Sequence, residues 1–174
     1  MGRYLKKNLY LISFILIPTL YFWDPSWLGF LGVQPYWPIF WLLPWSMIHG
    51  SINGLIVGLF LGLTLDSISP DSSFTQIPGL VLCGIWFGKL DACRNVLVHH
   101  FRYGLISSIA SFLCSFFYFS QILIKNFPDN SIFFYFPTMK YIFAQVFITG
   151  FLAPFFCSSL FRLFKNVKDV NKIY

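Results

Sequence analysis

The chain has 174 residues, 57% of them hydrophobic and 22% aromatic, with only 10% charged and a mean hydropathy of +0.69. Soluble domains run at about 25% charged and this chain has no Glu, so most soluble enzyme classes are excluded and the solvent is expected to be mostly lipid. The net charge of +6 then reports orientation in a bilayer, with no nucleic-acid partner expected.

Residues 4–23, YLKKNLYLISFILIPTLYFW, begin basic and then run apolar. No small-residue cleavage site follows, and Trp23-Asp24-Pro25 closes the run with an aromatic anchor and a helix breaker. The segment therefore reads as a retained first helix, not a signal peptide. About 20 residues at about 1.5 Å each cover a hydrocarbon core of roughly 30 Å. Residues 36–65 then contain no Lys, Arg, Asp or Glu, and read either as one steep helix or as two short ones meeting near His49-Gly50-Ser51. Spans at 74–90, 103–124 and 139–161 follow, each bounded by polar or Pro-containing segments.

The positive-inside rule chooses between the two readings. With spans at 36–48 and 50–65 the chain crosses six times. Arg3, Lys6, Lys7, Lys89, Arg94, Arg102, Arg162, Lys165, Lys168 and Lys172 then share one side, leaving only Lys125 and Lys140 opposite. A single span over 36–65 splits the same residues 5 against 7. The expected fold is thus an all-α integral membrane protein: one multi-pass domain over 1–174, a six-helix transmembrane bundle with both termini cytoplasmic. Its two central spans are short, so they are expected to tilt little, to thin the bilayer locally, or to be partly shielded by neighbouring helices.

Gly50, Gly54, Gly58 and Gly62 stand four residues apart in GSINGLIVGLFLG. Four residues turn through about 400°, so these positions form one stripe where another backbone can approach, the usual basis of helix association in lipid. Packing against another of the chain's own helices is the favoured reading, and a docking surface for another protein the alternative. Asp66 follows directly and, at a helix C-terminus, opposes the macrodipole. Exposure to water or capping of the next segment is expected, with a functional contact on the outer face as the sharper alternative. Trp37, Trp41 and Trp45 are also spaced by four, interrupted by Pro38 and Pro44. Trp37 suits an outer aromatic belt with Trp23 and Trp27; Trp41 and Trp45 read as packing residues or as a groove for a lipid or partner helix. Ser107, Ser111 and Ser115, with Gly104, Ser108 and Cys114, make a further close-packing face. In the last span, Gln145, Gly150 and Pro154 predict a polar contact and a kink.

Nothing in the sequence supports catalysis. No Asp, Arg or Lys falls at mid-depth of a span, which disfavours ion pumping. Asp91, Cys93, His99 and His100 match no common zinc spacing and read as a headgroup-facing loop. G-x-S-x-G, H-E-x-x-H and P-loop motifs are missing. The cysteines imply no disulfide framework, and no catalytic, cofactor or metal residue is assigned.

The stretch over 35–90, PYWPIFWLLPWSMIHGSINGLIVGLFLGLTLDSISPDSSFTQIPGLVLCGIWFGKL, resembles the rod shape-determining protein MreD family. The resemblance rests on the glycine-spaced helix running into G-L-x-x-D, here Gly62, Leu63 and Asp66, then a short outer loop and another span opening with Gly79-Leu80. Outside this stretch only length and hydropathy are similar. The second outer loop, 67–78, has no Gly, whereas many relatives carry one, so loop contacts are not carried over. The resemblance implies a non-catalytic scaffold of the cell-elongation machinery in the bacterial cytoplasmic (inner) membrane. Its partners would be an MreC-like bitopic membrane protein, MreB filaments, and RodA with its partner transpeptidase, without a cofactor.

The alternative is the substrate-binding membrane component of an energy-coupling-factor vitamin transporter, also a six-helix chain of similar size. That class typically uses Ala-x-x-x-Ala in its coupling helix, and Ala92, Ala110, Ala144 and Ala153 are not so spaced. A lipid-modifying membrane enzyme is a third reading, short of acid–base groups.

Overall fold

A computed structural model describes residue 19 and residues 32–68, 75–90, 100–125 and 135–172. The described residues form five helices: α1 (Trp37–His49), α2 (Ser51–Ile68), α3 (Ile77–Lys89), α4 (His100–Lys125) and α5 (Tyr135–Lys172). The expected first span at 4–23, the aromatic anchors Trp23 and Trp27, and the Asp91–His99 segment lie outside them, apart from Thr19, which is helical.

The apolar run at 36–65 is two helices, and one residue divides them. Gly50 adopts φ +90° and ψ 175°, a combination open essentially to glycine alone. Its N–H closes α1 on Ser46 O at 2.8 Å, while its carbonyl accepts the Gly54 N–H at 3.0 Å to start α2. Gly50 therefore forms the link, and an added Cβ there would touch nothing within 4 Å. Its backbone nonetheless lies against Gly88 of α3, so it keeps a place in the packing row while serving as the link.

Helix α1 is the centre of the molecule, packed against all four others. Thirteen residues rise only about 20 Å, too little to face a bilayer alone, and every α1 residue except Trp45 and His49 is buried. Trp37 is only 4% exposed, set edge-on against Phe40 and Phe156. It belongs to the core, a correction to the aromatic-belt expectation that follows from the enclosure of α1.

Both helix-interior prolines are accommodated by name. Pro44 has no N–H for Phe40 O four residues earlier, and the Cys157 thiol on α5 donates to that carbonyl at 3.6 Å. Pro154 likewise leaves Gly150 O without its helical donor. That oxygen faces Gly104 of α4, where a Cβ would stand 2.8 Å away.

The last helix is longer than the span expected at 139–161, running without interruption to Lys172. No Gly or Pro follows Pro154, so nothing in the basic tail stops it. Helices α2, α4 and α5 contain segments long and apolar enough to cross a membrane, and α3 is a shorter apolar helix.

Candidate functional site

Helix α2 is apolar on every side, so polarity cannot choose its buried face; volume does. Gly54, Gly58, Leu61, Gly62 and Leu65 are buried, while Ile52, Ile56, Leu59, Phe60 and Leu63 are exposed. The glycines meet α3 in antiparallel register. Gly54 and Gly84 face one another, each carbonyl standing where the other's side chain would be. A Cβ on Gly58 would lie 2.6 Å from Leu80 O, and one on Gly62 2.7 Å from Ile77 Cα. Gly88 completes the row against Gly50 and Ser51. The α3 partners Gly84 and Gly88 are close-packing residues that the sequence reading missed. Their own spacing of four in GIWFG was the available signal.

Helices α4 and α5 form a second close pair through Gly104, Ser108 and Gly150. Ser107 and Ser111 are fully buried on α4. Ser107 Oγ donates to Gly104 O at 2.9 Å, whereas Ser111 Oγ has no protein partner. Between the two pairs, Trp41, Trp45 and His49 stack along α1, with ring centroids 4.9 and 4.0 Å apart. Phe164 of α5 stands edge-on to both tryptophans.

At the opposite end a polar clasp ties all five helices together. Asp66 sits two residues before the end of α2, and its Oδ1 accepts the Gln76 N–H at 2.8 Å. That places a carboxylate at the N-terminus of α3, where the macrodipole favours it, and explains an acid that α2 alone would oppose. Tyr36 continues the chain of bonds: its hydroxyl donates to Gln76 Oε1 at 2.8 Å and its N–H to Thr149 Oγ1 at 3.0 Å. Ser115 Oγ donates to Gln145 Oε1 at 3.1 Å. Thr75 and Gln121 exchange two bonds, at 2.8 and 2.9 Å, and so attach α4. Asp66 Oδ2 is buried without a protein partner.

A cavity of about 250 Å³ opens beside the clasp, lined by Tyr36, Gln76, Ser115, Tyr118, Tyr141 and Gln145 among others. A neighbouring one of about 390 Å³ shares Tyr36, Gln76 and Gln145. Both Gln oxygens are engaged within the protein, so their amide N–H groups remain as donors. Among the described residues no Lys, Arg, Asp or Glu lines either cavity.

The residues singled out in the sequence thus fall in five places. Gly54, Gly58 and Gly62 lie at the α2–α3 seam and Gly50 at the link. Trp41 and Trp45 belong to the aromatic column, Ser107 and Ser111 to the α4 interior. Asp66 and Ser115 stand at opposite ends of one hydrogen-bonded clasp. Among the described residues no three His, Cys, Asp or Glu side chains gather as metal ligands, and Cys83 and Cys114 are buried free thiols 3.7 Å apart.

These helices define an all-helical membrane protein. No protein-family model, curated protein or solved structure matches the chain.

Proposed function

We propose that this chain is a non-catalytic scaffold of the bacterial cell-elongation machinery, an MreD-like protein of the cytoplasmic membrane. On this reading it holds an MreC-like bitopic protein, MreB filaments, and RodA with its partner transpeptidase in register for lateral peptidoglycan synthesis. One observation carries it: the residues behind the resemblance pack together as one unit. The stripe Gly54, Gly58 and Gly62 locks α2 to α3 backbone to backbone, and Asp66, the acid of G-L-x-x-D, caps the very helix that the stripe grips. A scaffold needs such fixed helix geometry.

The topology proposed with it has six spans and both termini cytoplasmic. The antiparallel α2–α3 and α4–α5 pairs support alternating crossings, and Lys89, Arg102 and Arg162 occupy the end opposite the polar clasp, as the positive-inside rule asks. A reporter fused after Asp66 should read outside; a cytoplasmic signal there would overturn the topology. Depletion of the protein should round a rod-shaped host, and membrane purification should recover the MreC-like partner. Unchanged shape together with no such partner would sink the scaffold reading.

The clasp cavity favours a second reading, capture of an uncharged small molecule by a transporter's binding component. Thermal unfolding of the purified protein against a panel of vitamins separates the two. A ligand that raises the midpoint and co-purifies would support capture over scaffolding.

A further inference from the structure

On α5, Phe143, Phe147, Phe151 and Phe155 repeat every four residues and are 64–73% exposed, forming one ridge along the helix. Exposed Phe101 and Leu105 of α4 stand across from them. Because Gly104 and Gly150 bring the two backbones together, the floor between these rims is recessed, leaving an apolar groove of about 630 Å³. From 143 to 155 the groove follows α5 for about 18 Å at about 1.5 Å per residue. One leaflet of a hydrocarbon core is about 15 Å thick.

The same α5 face then changes chemistry. Pro154 and Phe155 also border a second cavity, of about 460 Å³, completed by Ser158, Ser159 and Arg162. Ser159 Oγ is turned back to Phe155 O at 2.9 Å. Ser158 and Arg162 lie one turn apart on one face. Among the described residues Arg162 has no carboxylate partner. Arg102 lies at the same end, next to Tyr103, whose ring packs on Phe161 at 6.2 Å. An apolar trough one leaflet long that ends in an unpaired guanidinium matches a chain bearing an anionic head.

We infer that the α4–α5 groove is a binding site for an anionic phospholipid, with an acyl chain along the phenylalanine ridge and the phosphate at Arg162 and Ser158. On the topology proposed above, the Arg162 end of the site lies toward the cytoplasmic face. The site itself needs only the membrane character of the fold.

The test is native mass spectrometry of the purified full chain with dioleoylphosphatidylglycerol and dioleoylphosphatidylcholine. The acidic lipid should bind about fivefold more tightly. Arg162→Gln should weaken phosphatidylglycerol binding and reduce that preference to within about twofold, while an unchanged thermal unfolding midpoint reports that the exposed substitution has not unfolded the protein. A phosphatidylglycerol with a photoreactive group at mid-chain should label residues 143–155. Equal affinities for the two lipids would overturn the site. So would a preference that survives Arg162→Gln but is lost in Lys168→Gln/Lys172→Gln, labelling centred elsewhere, or a groove protected by a second copy of the chain instead of lipid.

Discussion

Replacing Gly58 by alanine adds one methyl group at the tightest kind of contact this protein has. The new carbon would stand 2.6 Å from Leu80 O, 3.1 Å from Leu80 C and 3.2 Å from Val81 Cα. All three are backbone atoms of α3, so no side chain can swing away. Reaching ordinary contact at 3.4 Å requires the helices to part by about 0.8 Å. A gap of that size forfeits a quarter to a half of each atom pair's roughly 0.1–0.2 kcal/mol, and over a few tens of pairs along the seam the loss is about 1–3 kcal/mol. Alanine's helix propensity returns about 1 kcal/mol, leaving a net destabilisation of about 0–2 kcal/mol. Gly58→Leu should exceed about 3 kcal/mol and disrupt assembly. The assay is reversible unfolding in mixed detergent micelles, with Ile56→Ala on the exposed face of α2 as a control expected within about 0.5 kcal/mol of wild type. A Gly58→Leu protein as stable as wild type, or a loss from Ile56→Ala equal to that from Gly58→Leu, would refute the argument from close approach.

Two further substitutions probe the bonds that replace ordinary helix chemistry. Cys157→Ala should cost about 1–3 kcal/mol, because it leaves Phe40 O buried without a donor, whereas Cys157→Ser should retain most of that stability. Thermal unfolding of the pair measures the difference. Asp66→Ala removes the acceptor for the Gln76 N–H and should cost about 1 kcal/mol; Asp66→Asn should lose less, and hydrogen exchange at the start of α3 should rise in the same order.

Much of the helical layout was legible because charge and glycine punctuate an otherwise uniform chain. Gly50 marked the division of the apolar run, and the spacing of Gly54, Gly58 and Gly62 marked the buried face of α2. Hydropathy could not have done so, since Ile56 and Leu61 are equally apolar yet lie on opposite sides. The partner row Gly84 and Gly88 was readable by the same rule but stood in a segment chosen only for its hydrophobicity. Trp37 was misplaced because the aromatic-belt rule assumes a helix that meets lipid, and α1 meets protein on all sides. Helix α5 continues past the expected span because the end of a span in lipid is not the end of a helix, and the basic tail carries no Gly or Pro to stop it. The role of Asp66 needed the third dimension: its carboxylate serves a residue ten positions later, at the head of another helix. The clasp as a whole joins residues from 36 to 149, and no local pattern links them.

The bond from Cys157 to Phe40 bears on how the protein is made. It connects positions 117 residues apart, so α1 emerges from the ribosome with a carbonyl that its own helix cannot satisfy. In hydrocarbon such a group is costly, and the thiol that accepts the task belongs to the last described helix. Satisfaction of the central helix's backbone therefore depends on α5, the last described helix, whereas the α2–α3 seam involves only two neighbouring helices.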